Sequence, residues 1–140
     1  MTRAHAILFD LDGTLLDTAP DMIGALNLLR QEEGLEPLPF TTLRASVSHG
    51  AVRLITAGFP AAQADEFERL RQRFLALYAE NLAAGTRLFA GFEQVLAAFE
   101  AEDLPWGIVT NKPGWLTHPL LEQLGLNGRA CCVVSGDTVN

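Results

Sequence analysis

The sequence lacks several things, and each absence removes a class of protein. No apolar run approaches the ~20 residues of a membrane-spanning helix, so a helical span is excluded. There are only two cysteines, Cys131 and Cys132, and they are adjacent. Neighbouring residues seldom reach the separation and direction that a disulfide needs, and this spacing does not hold zinc. The pair is expected as buried thiols in a reducing cytoplasm. Positive charge is scarce: 10 Lys and Arg stand against 17 Asp and Glu, a net charge of -7. A chain of that sign repels nucleic acid and anionic membrane surfaces, so neither is expected as a partner. It also repels a small phosphate ester, so a site for one would need a cation. There is no internal repeat, no low-complexity segment and no glycine–lysine–hydroxyl series of a nucleotide-binding loop. The opening residues Met1 to His5 lead into an apolar run too short for a secretory signal, without a cleavage site.

What remains is 140 residues, 49% hydrophobic and 19% charged, the balance of an ordinary folded domain. Ala4 to Phe9 is a short apolar run closed by Asp10 and Gly13, and reads as a buried parallel strand. Thr18-Ala19-Pro20-Asp21 reads as a helix start with a capping hydroxyl, and Met22, Ile23, Leu26 and Leu29 form that helix's apolar stripe up to Gly34. Leu35 to Phe40, with two prolines, is a connection. Short helices are expected over 41–47 and 51–57, around a Ser48-His49-Gly50 turn. A long helix follows, with Phe67, Leu70, Phe74, Tyr78 and Leu82 at helical spacing, up to Gly85. The pattern then changes. Phe92 to Glu102 is expected as a helix with Val95, Leu96 and Phe99 inward, Pro105 to Thr110 as a second buried strand, Trp115 to Leu124 as a helix, and Ala130 to Ser135 as a third strand. Trp106 and Trp115 are expected as packing residues. Alternating strands and helices predict an α/β fold with a parallel sheet. Residues 1–16 with 86–140 would form its core, and 17–85 an all-helical insert placed after the first strand, where open sheets bind ligands.

Asp10 and Asp12 carry the chemistry. A carboxylate at the end of an apolar strand must be paired, hydrogen-bonded or metal-bound. Two of them, two residues apart, repel each other, and no Lys or Arg lies nearby in sequence. A divalent cation would offset them, and Mg2+ takes one or two carboxylates plus phosphate oxygens. Phosphoryl transfer to a carboxylate uses such a set: one Asp attacks phosphorus and the other handles the proton. Gly13 permits a sharp turn beside the phosphate, and Thr14 offers a hydroxyl there. A calcium loop is excluded because the glycine comes too early and the ligand series stops.

The run from Asp10 to Thr18 (Asp-Leu-Asp-Gly-Thr-Leu-Leu-Asp-Thr) closely resembles the first motif of the haloacid dehalogenase superfamily, in its phosphoglycolate phosphatase-like branch with a helical cap of the C1 type. The resemblance implies a Rossmann-like core, Asp10 as nucleophile, Asp12 as acid/base, and Mg2+ touched by the Asp10 side chain and the Asp12 backbone carbonyl. Thr110, at the end of the second core strand, matches the second motif and would hold a phosphoryl oxygen with Asn111 beside it. Val109 to Pro113 is similar to phosphoglycolate phosphatases and to the sugar-acid phosphatases of cell-wall recycling, which act on N-acetylmuramate 6-phosphate. The resemblance runs from about His5 to Thr138. In the insert, Ser48, His49, Gly50 and Arg53 are candidates for reading a substrate carboxylate, against an ordinary helix–helix turn. Lys112 is a candidate for facing substrate, against an ordinary surface lysine. Family members continue with a lysine and then a spaced acidic motif. Neither follows Asp137 here, and Lys112 does not stand at the family's lysine position. The expectation is therefore a chain truncated relative to its family, with an open sheet edge that invites self-association. The alternative is a non-catalytic fragment that binds Mg2+ or phosphate weakly.

Overall fold

The computed structural model describes residues 5–138, so Ala4, the first residue of the expected opening strand, lies outside it. The contacts divide the chain into two units. One comprises the chain up to Asp17 and from Arg87 onward; the other is Thr18–Thr86.

The first unit is α/β. Strand β1 (Ile7–Phe9) pairs in parallel with β4 (Trp106–Val109), which pairs in parallel with β5 (Val133–Val134). Ile7 lies opposite Trp106 and Phe9 opposite Ile108. Helix α5 (Phe92–Ala101) precedes β4, and α6 (Gly114–Gln123) joins β4 to β5. Period-two alternation sends Ile7, Phe9, Trp106 and Ile108 to one face. There the Phe9 ring meets Phe92 at 5.6 Å, Trp106 at 6.2 Å and Phe99 at 6.3 Å. Such ring pairs are worth about 0.5–1.5 kcal/mol beyond the area they bury. The Trp106 indole N–H reaches Glu100 Oε1 at 3.2 Å. The opposite face carries Leu8, Gly107 and Val109, with Leu8 58% and Val109 43% exposed. The first strand is therefore half-covered, not buried on both faces as its apolar run suggested. A two-residue ribbon, β2 (Leu16–Asp17) against β3 (Arg87–Leu88), is antiparallel.

Further expectations in this unit need correction. Cys131 and Cys132 are exposed thiols, not buried ones, with sulfurs 3.8 Å apart. Their backbones do pair with β4, since Cys131 N–H donates to Trp106 O and Ile108 N–H donates to Cys132 O. They lie at the rim of the sheet, where no further strand among the described residues covers them. Trp115 is 54% exposed, and of the expected inward residues of α5 only Leu96 is fully buried while Val95 faces out.

The second unit is helical: α1 (Ala19–Glu32), α2 (Phe40–Leu43), a 3-10 segment (Arg44–His49), α3 (Gly50–Gly58) and α4 (Ala64–Glu80). Helix α1 starts at Thr18 with a proline in its first turn, but Thr18 makes no side-chain capping bond. Gly34, at φ 77°, closes it with Leu35 N–H bonded to Arg30 O at 2.8 Å. The stripe Met22, Ile23, Leu26 and Leu29 is buried, as are Leu70, Phe74, Leu77 and Tyr78 of α4. Gly58 allows α3 to approach Leu26, whose methyl would stand 2.9 Å from any Cβ there. The Arg30 guanidinium donates to the Gly58 carbonyl and to Glu36 O. The Asn27 amide bonds both polar groups of Leu38, at 2.9 and 3.1 Å, and so fixes the proline-rich connection. Asp21 ties the two ends of the unit together. Its carboxylate accepts the Gly85 N–H at 2.9 Å and the Thr86 hydroxyl at 2.7 Å.

Candidate active site

Past Phe9 the chain turns sharply. Leu15 N–H bonds Asp10 O, Thr14 N–H and Leu16 N–H both bond Leu11 O, and Gly13 N–H returns to Leu16 O at 2.9 Å. Gly13 has φ 76°, a conformation that L side chains rarely adopt. The turn drives Leu11, Leu15 and Leu16 into the core and leaves Asp10, Gly13 and Thr14 exposed. One oxygen of Asp10 is oriented by the Leu11 N–H at 2.8 Å. Asp12, by contrast, is buried.

A second loop, after β4, meets this turn. Thr110 is buried and anchored by its N–H to Val134 O at 2.8 Å. Its hydroxyl accepts the Lys112 N–H at 3.1 Å. The Lys112 carbonyl accepts from Gly136 N–H at 3.0 Å and from the Thr117 hydroxyl at 3.3 Å. The Lys112 ammonium then donates to Asp12 Oδ1 at 2.9 Å, with the two side chains only 4% and 10% exposed. Burial pulls the Lys112 ammonium below its ordinary pKa, and the Asp12 carboxylate opposes that pull.

A third loop braces the second. Gly136 lies so close to the Asn111 carbonyl that no Cβ fits there. Asp137 Oδ1 accepts the Gly114 N–H at 2.9 Å and the Ser135 hydroxyl at 2.8 Å, so it holds the start of α6. The Ser135 hydroxyl and the Gly114 N–H hold the Asp137 carboxyl below its ordinary pKa.

The structure therefore joins Asp12, Thr110 and Lys112 through hydrogen bonds, with Asp10, Gly13 and Thr14 on the same turn and Asn111, exposed, between Thr110 and Lys112. Ser48, His49, Gly50 and Arg53 belong to the helical unit. Ser48 and His49 end the 3-10 segment rather than form a free turn, and Gly50, at φ 84°, opens α3. Ser48, His49 and Arg53 are exposed. The Lys112–Asp12 contact is not legible in the sequence because the partners are 100 residues apart. Close to Asp10 and Asp12 in sequence there is no counter-charge. The bracing by Ser135, Gly136 and Asp137 was equally silent, since its signal is the lack of a side chain at Gly136.

Among the described residues no group of three or more His, Cys, Asp or Glu is arranged to hold a metal. The exposed, pre-oriented Asp10 carboxylate is nevertheless a hard oxygen donor of the kind Mg2+ takes when phosphate and water complete its shell. The donor chemistry fits.

The profile of the family described as haloacid dehalogenase-like hydrolase matches residues 7–140. The chain belongs to that family. This haloacid dehalogenase-like hydrolase is 41% identical over 138 residues to an N-acetylmuramic acid 6-phosphate phosphatase from Pseudomonas putida, covering 98% of this chain and 62% of that one. It is 41% identical over 139 residues to a phosphoglycolate phosphatase from Xanthomonas campestris, covering 99% and 63%. It thus spans about three fifths of the length of these curated relatives. Among solved structures, a predicted phosphoglycolate phosphatase from Haemophilus somnus superposes with TM-score 0.86 at 26% identity, covering 99% of this chain and 65% of that one. A haloacid dehalogenase-like family hydrolase from Streptococcus pneumoniae, at 21% identity and TM-score 0.82 over 96% of this chain and 62% of that one, shares the fold.

Proposed function

We propose that this hydrolase is a Mg2+-dependent phosphomonoesterase that works through an aspartyl phosphate on Asp10, with 2-phosphoglycolate as its first candidate substrate. The observation that carries the reading is the Lys112–Asp12 bond, which brings the Asp10–Asp12 turn and the Thr110 loop into one cluster. In this reading an Asp10 carboxylate oxygen attacks phosphorus as the ester bond breaks, and Asp12 gives a proton to the departing alcohol. Asp12 then takes a proton from the water that cleaves the aspartyl phosphate. Gly13, Thr14, Thr110 and Asn111 hold phosphoryl oxygens. Mg2+, held by the Asp10 carboxylate and the Asp12 carbonyl, supplies charge neutralisation for those oxygens when bound.

The helical unit serves as a cap, with the Arg53 cation and the Ser48-His49-Gly50 segment matched to a substrate carboxylate. N-acetylmuramate 6-phosphate is the second reading. It is favoured by relatives of that activity that are as similar to this chain as the phosphoglycolate phosphatases are. Both substrates pair a phosphate with a carboxylate. The exposed thiols of Cys131 and Cys132 suit a reducing compartment and support the cytoplasm as the proposed location. The open edge of β1 and the exposed Leu8 favour self-association.

The test is phosphate release from 2-phosphoglycolate and from N-acetylmuramate 6-phosphate, with and without Mg2+, by the chain and by Asp10→Asn. Mg2+-dependent release that drops ~10³-fold or more in the variant is the expected result. Release no greater than that of Asp10→Asn on both substrates would show that these 140 residues alone are not a phosphatase, leaving weak Mg2+ or phosphate binding as their property.

A further inference from the structure

Cys131 and Cys132 carry the only thiols of the sequence, and phosphoryl transfer uses neither. Both are exposed and unbridged, with sulfurs 3.8 Å apart. Their backbone is pinned to β4: Cys131 N–H donates to Trp106 O at 2.7 Å, and Cys132 O accepts the Ile108 N–H at 3.0 Å. The sheet also makes room for the second sulfur. A Cβ at Gly107 would stand 2.6 Å from Cys132 Sγ, so only the missing side chain lets that sulfur lie over β4. Cys131 borders an open cavity of about 350 Å3, which Trp106 and Arg129 also line. The spacing of the sulfurs matches metal–thiolate geometry, because two sulfurs each ~2.3 Å from a tetrahedral ion stand ~3.8 Å apart. The neighbouring Cys131 thiol pushes the Cys132 thiol above its ordinary pKa. A bound cation offsets the charge of the second thiolate.

We propose that Cys131 and Cys132 form an open two-thiolate site for a soft, thiolate-preferring cation such as Cu(I) or Cd2+. Soft thiolates select such ions, whereas carboxylate oxygens suit Mg2+, so the two kinds of cation are sorted by donor type. Among the described residues no third His, Cys, Asp or Glu completes a closed shell with the thiols. Glu100, on the same cavity, is already bonded to Arg129 and Trp106. Water from the cavity side therefore takes the remaining positions. Each thiol gives up its proton as it binds, so two protons leave for each cation taken. The site stands apart from the turn at Asp10. Cys131 lies beside Trp106, the first residue of β4, while Thr110 follows its last residue. Three steps of strand separate Trp106 from Val109 by ~10 Å. The inference therefore does not rest on the phosphatase reading.

The experiment titrates the chain with Cd2+ alone, under a phosphine reductant and in excess Mg2+. Binding is read from the ultraviolet sulfur-to-cadmium charge-transfer band, and stoichiometry from intact mass. The variants are Cys131→Ser, Cys132→Ser, the double serine variant and Asp10→Ala, each checked for folding by circular dichroism. The wild type and Asp10→Ala are expected to bind one Cd2+ per chain with equal affinity. Each single serine variant should bind ~10²-fold more weakly, because two donors on one chain act at high effective concentration. The double variant should lose the band. A single variant that binds as tightly as the wild type overturns the inference, since the thiols would then act separately. One Cd2+ per two chains overturns it too, because the ion would then bridge copies. So does a wild type without the band. Binding lost in Asp10→Ala would move the ion to the carboxylate turn, overturning the thiol site and leaving the phosphatase reading intact. Should a serine variant fail to fold, wild type alkylated in the folded state with iodoacetamide replaces it. Loss of the band then supports the site, and a retained band overturns it.

Discussion

The Asp137 carboxylate accepts hydrogen bonds from the Ser135 hydroxyl and the Gly114 N–H, and through them it fixes the loop that carries Thr110 and Lys112. These bonds favour the ionised form and hold its pKa below the ordinary range. The sign of the pH dependence follows. A carboxyl depressed in the folded state stabilises the fold above its unfolded pKa of about 3.9. That contribution is lost as pH falls through the lower folded value. Thermal melts between neutral pH and about pH 3 should show a steeper acid decline in the wild type than in Asp137→Asn, which has no charge to lose. Parallel declines would mean that the ionised form contributes nothing. At this scale the sequence reveals residue types but not pairs. Asp10 and Asp12 stand out because two acids two residues apart at a strand end need a partner. Lys112 is visible only once β4 lies beside β1.

Helix α1 is held at its start by an acid, not by its capping position. Asp21 reaches across the unit to Gly85 and Thr86, and with Asp21 removed the Gly85 N–H and Thr86 hydroxyl lose that acceptor. Asp21→Ala is expected to lower the stability of the helical unit by about 2–3 kcal/mol in urea unfolding. Asp21→Asn, which keeps an acceptor, should lose less. Equal, small losses in both would show that water replaces the carboxylate freely. The longer elements were legible from period alone. The α1 stripe and the Phe67 to Tyr78 spacing gave real helices because apolar faces of α1 and α4 are buried, but α4 ends at Glu80, so Leu82, though buried, lies past the helix. Ribbon β2–β3 was not legible, since two-residue strands carry no period. The third strand is shorter than its apolar run. Its apolar run starts at Ala130, but only Val133–Val134 form the strand, and the cysteines before it sit at an uncovered rim.

Taken as a whole, the described chain leaves Leu8 and Val109 exposed on one sheet face, and β1 has a neighbour on one side only. Apolar surface beside unpaired strand groups favours pairing with another chain. Sedimentation velocity over a dilution series should show reversible association. Leu8→Lys should shift the protein toward monomer without loss of helical circular dichroism. A wild type that stays monomeric throughout would show that this face is inert. A different consequence follows from ribbon β2–β3, where Leu16 lies opposite Leu88 and Asp17 opposite Arg87. The chain leaves the α/β unit and returns to it through adjacent strands, and within the helical unit Asp21 joins Gly85 and Thr86. To the sheet, the whole helical unit is no more demanding than a hairpin loop, because lengthening a closed loop costs little entropy. The residues proposed for phosphoryl transfer all lie outside that loop. An insert of another length joined at Asp17 and Arg87 would thus leave the pairing of the strands undisturbed.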